Sequence, residues 1–322
     1  MKLIDNGGAF AIKGFNFQKA SIALIAIKNF DKSNFQVYVE AKEDFQVEFD
    51  QFQAFIQVKS KKLTLNKILN NKELILYKNI ISSKVVNSNT KYKIITKDFS
   101  ENDLRNMVVD NDGEICAPLY TYNEKQFKEI INKLNSQGKV KNLKDRLRNS
   151  YIYVTPFKDN MEDAVLFLIG AMDQKKIEVS KDRGKMAINE LFTLIDQKSE
   201  LIIEDHEDME MKKIVQEDLK EIFKTTSQFD ALYEVLRETS YNYFNKERIK
   251  KEQLKILSMY KSEKAAAKNE LKDFDLDKDV SIDSLIKDAI QIADSKISFN
   301  NLEYFTKVAI VIELLIEKSE TN

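Results

Sequence analysis

Polar side chains that could bind a metal ion recur at alternate positions in two short stretches, DFQVEF (44–49) and AFIQVK (54–59). If these stretches form an antiparallel hairpin around residues 50–53, Phe49 faces Ala54, and the side chains alternate between two faces. One face is entirely apolar and carries Phe45, Val47, Phe49, Ala54, Ile56 and Val58. The other face carries Asp44, Gln46, Glu48, Phe55, Gln57 and Lys59. This register predicts that Asp44 lies opposite Lys59 and that Gln46 lies opposite Gln57.

The polar face of this hairpin has two interpretations. It is either the solvated face of an antiparallel hairpin, where such residues are common, or a metal-dependent phosphodiesterase site. Mg²⁺ prefers oxygen ligands and usually takes one or two carboxylates, so the side chains of Asp44 and Gln57 could hold it, with the Val58 carbonyl as a third ligand. Lys59 would then position or activate the attacking water and balance negative charge in the transition state.

Lysine is concentrated directly after this stretch. Residues 58–97 contain ten lysines and one acid, Glu73, in a chain whose net charge is −1. A basic segment beside a phosphodiesterase site is what a groove for a polyanion requires, and Lys61, Lys62 and Lys67 are predicted to contact DNA. The alternative is that these lysines are scattered over a solvated surface.

The composition excludes several other classes of chemistry. The single Cys116 rules out an internal disulfide, and no CxxC or Cys/His cluster could form a zinc site. His206, the only histidine, lies in the acidic run EDHEDME and is expected at a solvated helix end. No Walker A, GxGxxG or GxSxG string occurs. No apolar run approaches the roughly 20 residues that span a bilayer, so we expect a cytoplasmic protein without a membrane segment.

Glycine and proline divide the chain. All seven glycines and both prolines lie within residues 1–184, and apolar residues recur at helical spacing after that point. Before it, a helix is predicted over 14–30 and strands over 35–40, 44–49, 54–59, 91–96 and 151–155. We therefore expect an α/β domain with a mixed sheet flanked by helices over 1–160, and an all-α region over 161–322. Broad apolar faces such as VAIVIELLIEK suggest that this region binds a partner or a second copy.

The order of these motifs resembles a known family. GGAFAIKGFNFQKASIALIAI, followed by VYVEAKEDFQVEF and AFIQVKSKKLT, is similar to the nuclease domain of the CD-NTase-associated endonucleases of bacterial anti-phage defence (CBASS). That domain belongs to the PD-(D/E)xK restriction-endonuclease-like superfamily and also begins Lamassu-type and other ATPase-linked effectors. The family's glycine and aromatic pattern is matched by Gly7, Gly8, Gly14, Phe15, Phe17 and Gln18, with Phe17 replacing the usual tyrosine. Its E…D…QxK pattern falls on Glu40, Asp44, Gln57 and Lys59.

The resemblance implies a function. It implies a restriction-endonuclease-like fold and an endodeoxyribonuclease that uses Mg²⁺ or Mn²⁺ to hydrolyse double-stranded DNA. In such a site Gln57 replaces the more usual acid, Gln18 would reach the ligands from its helix, and Glu40 would be an accessory ligand, a water orienter or an exposed strand-end acid. The implied partner is a regulatory subunit, either an SMC-like or other ATPase or a nucleotide-signalling system, and the chain could form a homo-oligomer. The alternative is a non-catalytic DNA-binding or scaffold subunit with a nuclease-like fold.

Overall fold

The chain forms two compact units, Met1–Phe223 and Lys224–Asn322. The computed structural model describes residues 6–40, 43–84, 86–158, 160–177, 181–203 and 208–319. The first unit contains α1 (Gly7–Asn29), β1 (Gln36–Val39), β2 (Phe45–Phe49), β3 (Phe52–Leu63), α2 (Leu65–Ile68), α3 (Ile75–Ile81), β4 (Thr90–Phe99), α4 (Glu101–Arg105), β5 (Val108–Asp110), β6 (Leu119–Thr121), α5 (Glu124–Gln137), α6 (Leu143–Arg148), β7 (Ser150–Val154), α7 (Met161–Gln174), α8 (Lys181–Glu200) and β8 (Lys213–Val215). Helix α9 (Gln216–Glu238) spans the division, and the second unit continues with α10 (Tyr243–Met259), α11 (Lys261–Glu270), α12 (Ile282–Ala293), α13 (Ile297–Asn300) and α14 (Tyr304–Ser319).

The strands form one mixed sheet in the order β5-β6-β7-β4-β3-β2-β1-β8. Strand β4 pairs in parallel with β3 and β7, and the other pairings are antiparallel. The five predicted strands correspond to β1, β2, β3, β4 and β7. Strands β5, β6 and β8 have three residues each, which is too short for an alternating pattern to be recognised. The prediction of a mixed sheet with flanking helices and a helical C-terminal region is confirmed.

The central strands are buried on both faces. On β3, Ala54, Ile56 and Val58 belong to an apolar cluster that includes residues of α1, α7 and α8. Phe55 points the other way into a second cluster with residues of α3 and α5, and Asn79 Nδ2 of α3 donates to its carbonyl oxygen at 3.1 Å. The interpretation of the polar face as a solvated surface is therefore wrong at β3, because the chain after β3 folds back over this face.

The β2–β3 hairpin turns over two residues, Asp50 and Gln51, rather than over the predicted 50–53. Phe49 pairs with Phe52, and their rings stack with centroids 4.5 Å apart. The tighter turn is possible because Asp50 adopts a φ of 48°, a region that aspartate tolerates better than most residues. Gln46 consequently lies opposite Phe55, not Gln57, and the predicted pairings are wrong by two residues. A shift of two leaves every side chain on its predicted face.

Helix α1 changes from exposed to buried along its length. Residues 6–13 are exposed, whereas all eight residues of 20–27 are buried. The buried half has no polar face because it packs against β3, α7 and α8, as expected for a helix that is apolar all round. Gln18 lies where the exposed half ends, and this position brings it close to the ends of β1 and β2.

The first unit extends well past residue 160, where the sequence predicted a domain boundary. Apolar residues of α7 and α8, such as Leu168 and Leu191, belong to the same core as α1. Strand β8 adds to the sheet by pairing with β1, with Ile214 opposite Val37. The helices that follow residue 160 therefore complete the α/β unit, and the compact units divide after Phe223 instead.

Helix α14 is buried within the second unit. Residues from Thr306 to Leu314 are all buried, and α14 contacts α10, α11 and α12. Its broad apolar face, which the sequence suggested as a surface for a partner, is thus covered by helices of the same unit. Among the described residues, no helix is both long and apolar enough to cross a membrane.

Candidate functional site

Asp44, Val58 and Lys59 meet where the β2–β3 hairpin opens. Asp44 lies in the bend before β2, and its Oδ2 accepts a hydrogen bond from the Val58 N–H at 2.6 Å. The same oxygen lies 3.9 Å from Lys59 Nζ. Each side chain is about a quarter exposed, at 26% for Asp44 and 27% for Lys59. The predicted convergence of these residues is present, although a different strand register produces it.

Gln57 brings an unpaired acceptor to the same face. Its residue is 9% exposed, and its Oε1 is buried without a hydrogen-bond partner among the described residues. An unpaired buried acceptor costs about 1–3 kcal/mol unless water or an ion satisfies it. The carboxylate of Asp44, this amide oxygen and the adjacent Val58 backbone therefore fit the hard oxygen ligands that Mg²⁺ or Mn²⁺ takes.

Glu40 and Gln18 adjoin this group. Glu40 directly follows β1 with a φ of 49°, and its N–H donates to the Asp44 carbonyl oxygen at 3.0 Å. Gln18 Nε2 of α1 donates to Glu40 Oε1 at 2.5 Å and lies 3.3 Å from the Asp44 carbonyl oxygen. The structure therefore places Gln18 between Glu40 and the backbone of Asp44, close to where the sequence predicted it.

A cleft of about 380 Å³ opens beside Glu40. It lies between α1 and α8 and is lined by Phe15, Gln18, Lys19, Ile22, Glu40, Ile195, Asp196, Ser199 and Glu200. Lys19 Nζ pairs with Asp196 Oδ2 at 2.6 Å across it. Glu40 thus faces a solvent-accessible cleft and contacts Gln18 at the same time.

Glu43 is a site residue that the sequence did not single out. Burial, and next the neighbouring Asp44 carboxylate, raise the pKa of Glu43 to about 7, while Lys59 and Lys78 act in the opposite direction. Strand alternation could not place Glu43 because it lies in the bend before β2. Its proximity to Asp44 in the sequence was the one signal available.

Glu48 accepts hydrogen bonds from three glutamine side chains, a network that the sequence did not predict. Its Oε1 accepts hydrogen bonds from Gln46 Nε2 and Gln53 Nε2, and its Oε2 accepts one from Gln36 Nε2 at 3.0 Å. The three glutamines come from β1, β2 and β3, so only the paired sheet brings them together. Gln46 is 3% exposed, and its Oε1, like that of Gln57, has no partner in the described part of the chain.

The three lysines predicted to contact DNA lie together after the site, on β3 and α2. Lys61 pairs with Glu73 at 2.6 Å and Lys62 with Asp98 at 3.2 Å. Lys67 Nζ donates to the Lys62 carbonyl oxygen at 3.0 Å. The lysine-rich segment is not wholly a surface feature, because Lys93 is fully buried and burial lowers its pKa.

Few acidic groups converge at this site. In the described ranges, no three side chains of the His, Cys, Asp or Glu type come together to hold a metal ion. An ion here would depend on few carboxylates and on neutral oxygens, as a Mg²⁺ ion that keeps several waters does. His206 lies outside the described residues.

Comparison with known proteins identifies the family. No protein-family profile matches the chain. The chain is 39% identical over 269 residues to Lamassu protein LmuA of Bacillus sp. (strain NCIM 5461 / CCTCC AB 2011126 / NIO-1130), and the match covers 82% of this chain and 83% of that protein. The chain belongs to the LmuA family of Lamassu proteins. This membership confirms the Lamassu-type defence family in the resemblance found from the sequence.

One solved structure also matches this LmuA-family chain. It is described as the structure of Moraxella osloensis Cap4 SAVED/CARF-domain containing receptor, with a TM-score of 0.41 and 14% identity. The match covers 66% of this chain and 47% of the other, so the chain spans about half the length of that receptor.

Proposed function

We propose that this LmuA-family protein is a metal-dependent endonuclease that hydrolyses double-stranded DNA as the effector subunit of an anti-phage defence complex. The observation that carries the proposal is the meeting of Asp44, Lys59 and the unpaired Gln57 oxygen at one end of the hairpin. The element order supports a restriction-endonuclease-like fold, since a helix precedes three antiparallel strands and β4 then joins in parallel.

The side chains assign roles within this proposal. Asp44, Gln57 and the Val58 carbonyl would hold Mg²⁺ or Mn²⁺, which when bound supplies positive charge to the phosphoryl group under attack. Lys59 is paired only loosely with Asp44, at 3.9 Å, so its ammonium can also donate to water or to a phosphate oxygen. Lys59 therefore positions the attacking water and balances negative charge as the bond breaks. Gln18 orients Glu40 and the backbone of Asp44.

The surface lysines provide the DNA contacts in this proposal. Lys61 and Lys62 are each paired with an acid but remain about half exposed, at 45% and 57% of their side chains. Exposed pairs of this kind contribute about 0–1 kcal/mol, so a DNA phosphate can replace the acid at little cost. Lys67 follows on α2 and extends the same basic surface.

Regulation requires a partner in this proposal. A nuclease without sequence preference has to be restrained, and the sequence carries no nucleotide-binding motif. The family resemblance suggests an SMC-like or other ATPase subunit, or a nucleotide-signalling system, as the source of control. The released subunit could also assemble as a homo-oligomer.

Cleavage of plasmid DNA under titration with Mg²⁺ or Mn²⁺ tests the activity. We expect cleavage to require the cation and to fall at least about a hundredfold in Lys59→Ala, since loss of a charge-balancing donor raises the barrier by about 2.7–4 kcal/mol. Asp44→Ala should lose cleavage through loss of the ion. The matched control is Lys128→Ala, on the exposed surface of α5, which should cut as the unmutated protein does.

Stability separates this result from misfolding. The Asp44–Lys59 contact is long, at 3.9 Å, and Asp44 keeps its hydrogen bond from the Val58 N–H, so Lys59→Ala should unfold at nearly the same temperature as the unmutated protein. Cleavage at the unmutated rate by Lys59→Ala would refute the site. A protein that binds DNA but neither binds the cation nor cuts would instead be the non-catalytic scaffold.

A further inference from the structure

Gln46 and Gln57 present two buried, unpaired oxygens on one face of neighbouring strands. Gln46 lies opposite Phe55, so Gln57 is its diagonal neighbour, about 7–8 Å away and within reach of long side chains. A buried acceptor without a hydrogen-bond partner is unfavourable for the folded chain. Two such acceptors on the face that Asp44 adjoins indicate either a polar ligand that donates hydrogen bonds to both oxygens or a cation that both oxygens bind.

The orientation of the Gln46 amide is fixed by Glu48. Gln46 Nε2 donates to Glu48 Oε1, and the reverse orientation would place two acceptor oxygens together without a proton between them. Gln46 and Glu48 are two residues apart on the same face of β2, so the bond directs Nε2 along the strand towards Glu48. This orientation leaves the oxygen, and not the nitrogen, as the buried atom without a partner in the described residues.

Glu48 is itself held in place from both sides. Gln36 of β1 and Gln53 of β3 donate to its carboxylate, so the carboxylate has a fixed position on the sheet. Because Gln46 is 3% exposed, bulk water does not compete for its amide. The strands thus hold the Gln46 oxygen in one direction before any ligand binds.

We propose that Gln46 is a positioning residue that accepts a hydrogen bond from a water molecule beside the metal ion. The proposal rests on the metal site assigned above and adds a residue to it. Mg²⁺ and Mn²⁺ keep several waters when the protein supplies few ligands, and the hydrogens of those waters need acceptors. The groups that orient such waters and ligands typically change metal affinity by about 10–100-fold when they are removed.

The affinity of the purified full chain for Mn²⁺, measured without DNA by electron paramagnetic resonance, tests this role. Gln46→Met keeps the length of the side chain but removes the acceptor, and we expect Mn²⁺ binding to weaken by about tenfold or more. The matched control is Gln53→Met, which removes an equivalent donor to Glu48 and leaves the Gln46 oxygen in place. We expect Gln53→Met to bind Mn²⁺ as tightly as the unmutated chain does. Its unfolding temperature should change by about as much as that of Gln46→Met.

A double variant that exchanges the side chains of positions 46 and 48 tests whether weaker binding comes from loss of the acceptor or from a disturbed fold. Gln46→Glu combined with Glu48→Gln keeps an acceptor beside the site and keeps a hydrogen bond between the two positions. We expect this double variant to bind Mn²⁺ at least as tightly as the unmutated chain. Equal weakening by Gln46→Met and Gln53→Met, or failure of the swap to restore binding in a folded protein, would overturn the proposal.

Asp44→Ala distinguishes failure of this inference from failure of the site. If Asp44→Ala abolishes Mn²⁺ binding while Gln46→Met leaves it unchanged, the site stands and the role of Gln46 is wrong. If the unmutated chain binds no Mn²⁺, or Asp44→Ala binds it equally well, the metal site and the role of Gln46 both fail.

Discussion

The pKa of the Glu43 carboxyl group depends on its surroundings in the folded chain. Its carboxyl is partly buried beside Asp44, and the resulting rise of its pKa to about 7 means that the folded chain holds the proton more tightly than the unfolded chain does. The contribution of Glu43 therefore favours folding while the carboxyl is protonated. It is lost as the pH rises from about 4.5 through about 7.

We predict that Glu43→Gln flattens the pH dependence of stability across this window in EDTA. Each pKa unit corresponds to about 1.4 kcal/mol, so the rise from 4.5 to about 7 predicts that the variant gains up to about 3.5 kcal/mol over the unmutated protein near pH 8. Chemical denaturation at a series of pH values measures this difference. Asp44→Asn should move the transition to lower pH, because the Asp44 charge is one cause of the shift. Parallel curves for the unmutated protein and Glu43→Gln would contradict the assignment.

The residues that sequence reasoning located share one property. Asp44, Gln57 and Lys59 follow a period-two pattern, which survives an error of two in the register. Glu43 and Glu48 depend on other information: Glu43 lies in an irregular bend, and the Glu48 contacts need three strands in their correct order. Local alternation thus predicts which face a side chain occupies, but not its partners across strands.

At the scale of elements, the two-residue hairpin turn requires a positive φ at one residue. Asp50 has a φ of 48°, which a β-branched side chain tolerates poorly. We predict that Asp50→Val lowers the free energy of unfolding by about 1–3 kcal/mol, whereas Asp50→Gly stays within about 1 kcal/mol. Gln51→Val is the control, since Gln51 is exposed and is not among the residues with positive φ. Equal losses for Asp50→Val and Gln51→Val would argue against the two-residue turn.

The second unit contains a buried ion pair that offers a second test. Glu313 of α14 is 2% exposed and pairs with Lys264 of α11, which also lies 2.7 Å from Glu317. Lys264→Ala leaves a buried carboxylate uncompensated, and we predict a loss of about 3–5 kcal/mol in urea unfolding. Lys268→Ala removes a mostly exposed partner of Glu317 and should cost below about 1 kcal/mol. Similar losses in the two variants would mean that Glu313 is not buried as described.

The composition of the elements explains why the domain boundary was harder to predict. Absence of glycine and proline after residue 184 correctly indicated helices, but it carries no information on what those helices pack against. Helix α8 completes the core of the sheet, and α14 is covered by its own unit. Helical periodicity indicates that a face is buried without naming the element that covers it.

At the scale of the whole molecule, the proposed DNA surface predicts a dependence on salt. Replacing Lys61, Lys62 and Lys67 together by alanine should weaken binding equally for unrelated duplex sequences. It should also reduce the slope of log affinity against log salt by up to about 0.9 for each phosphate that the protein no longer neutralises. Titration of labelled duplexes at several salt concentrations measures both quantities. An unchanged slope would place the DNA surface elsewhere on the protein.

The change from exposed to buried residues along α1 predicts that the helix end next to the site opens more often than the rest of the helix. Amide hydrogens of residues 20–27 should exchange with solvent among the slowest in the first unit, whereas those of residues 7–13 should exchange quickly as the helix end frays. Gln18 lies between the fast-exchanging and the slow-exchanging segments of α1. Fraying that reaches Gln18 breaks its hydrogen bonds to Glu40 Oε1 and to the Asp44 carbonyl oxygen, whereas Asp44 keeps its bonds from the N–H groups of Glu40 and Val58. The lifetime of the exposed half of α1 therefore limits how long Gln18 holds the Glu40 carboxylate.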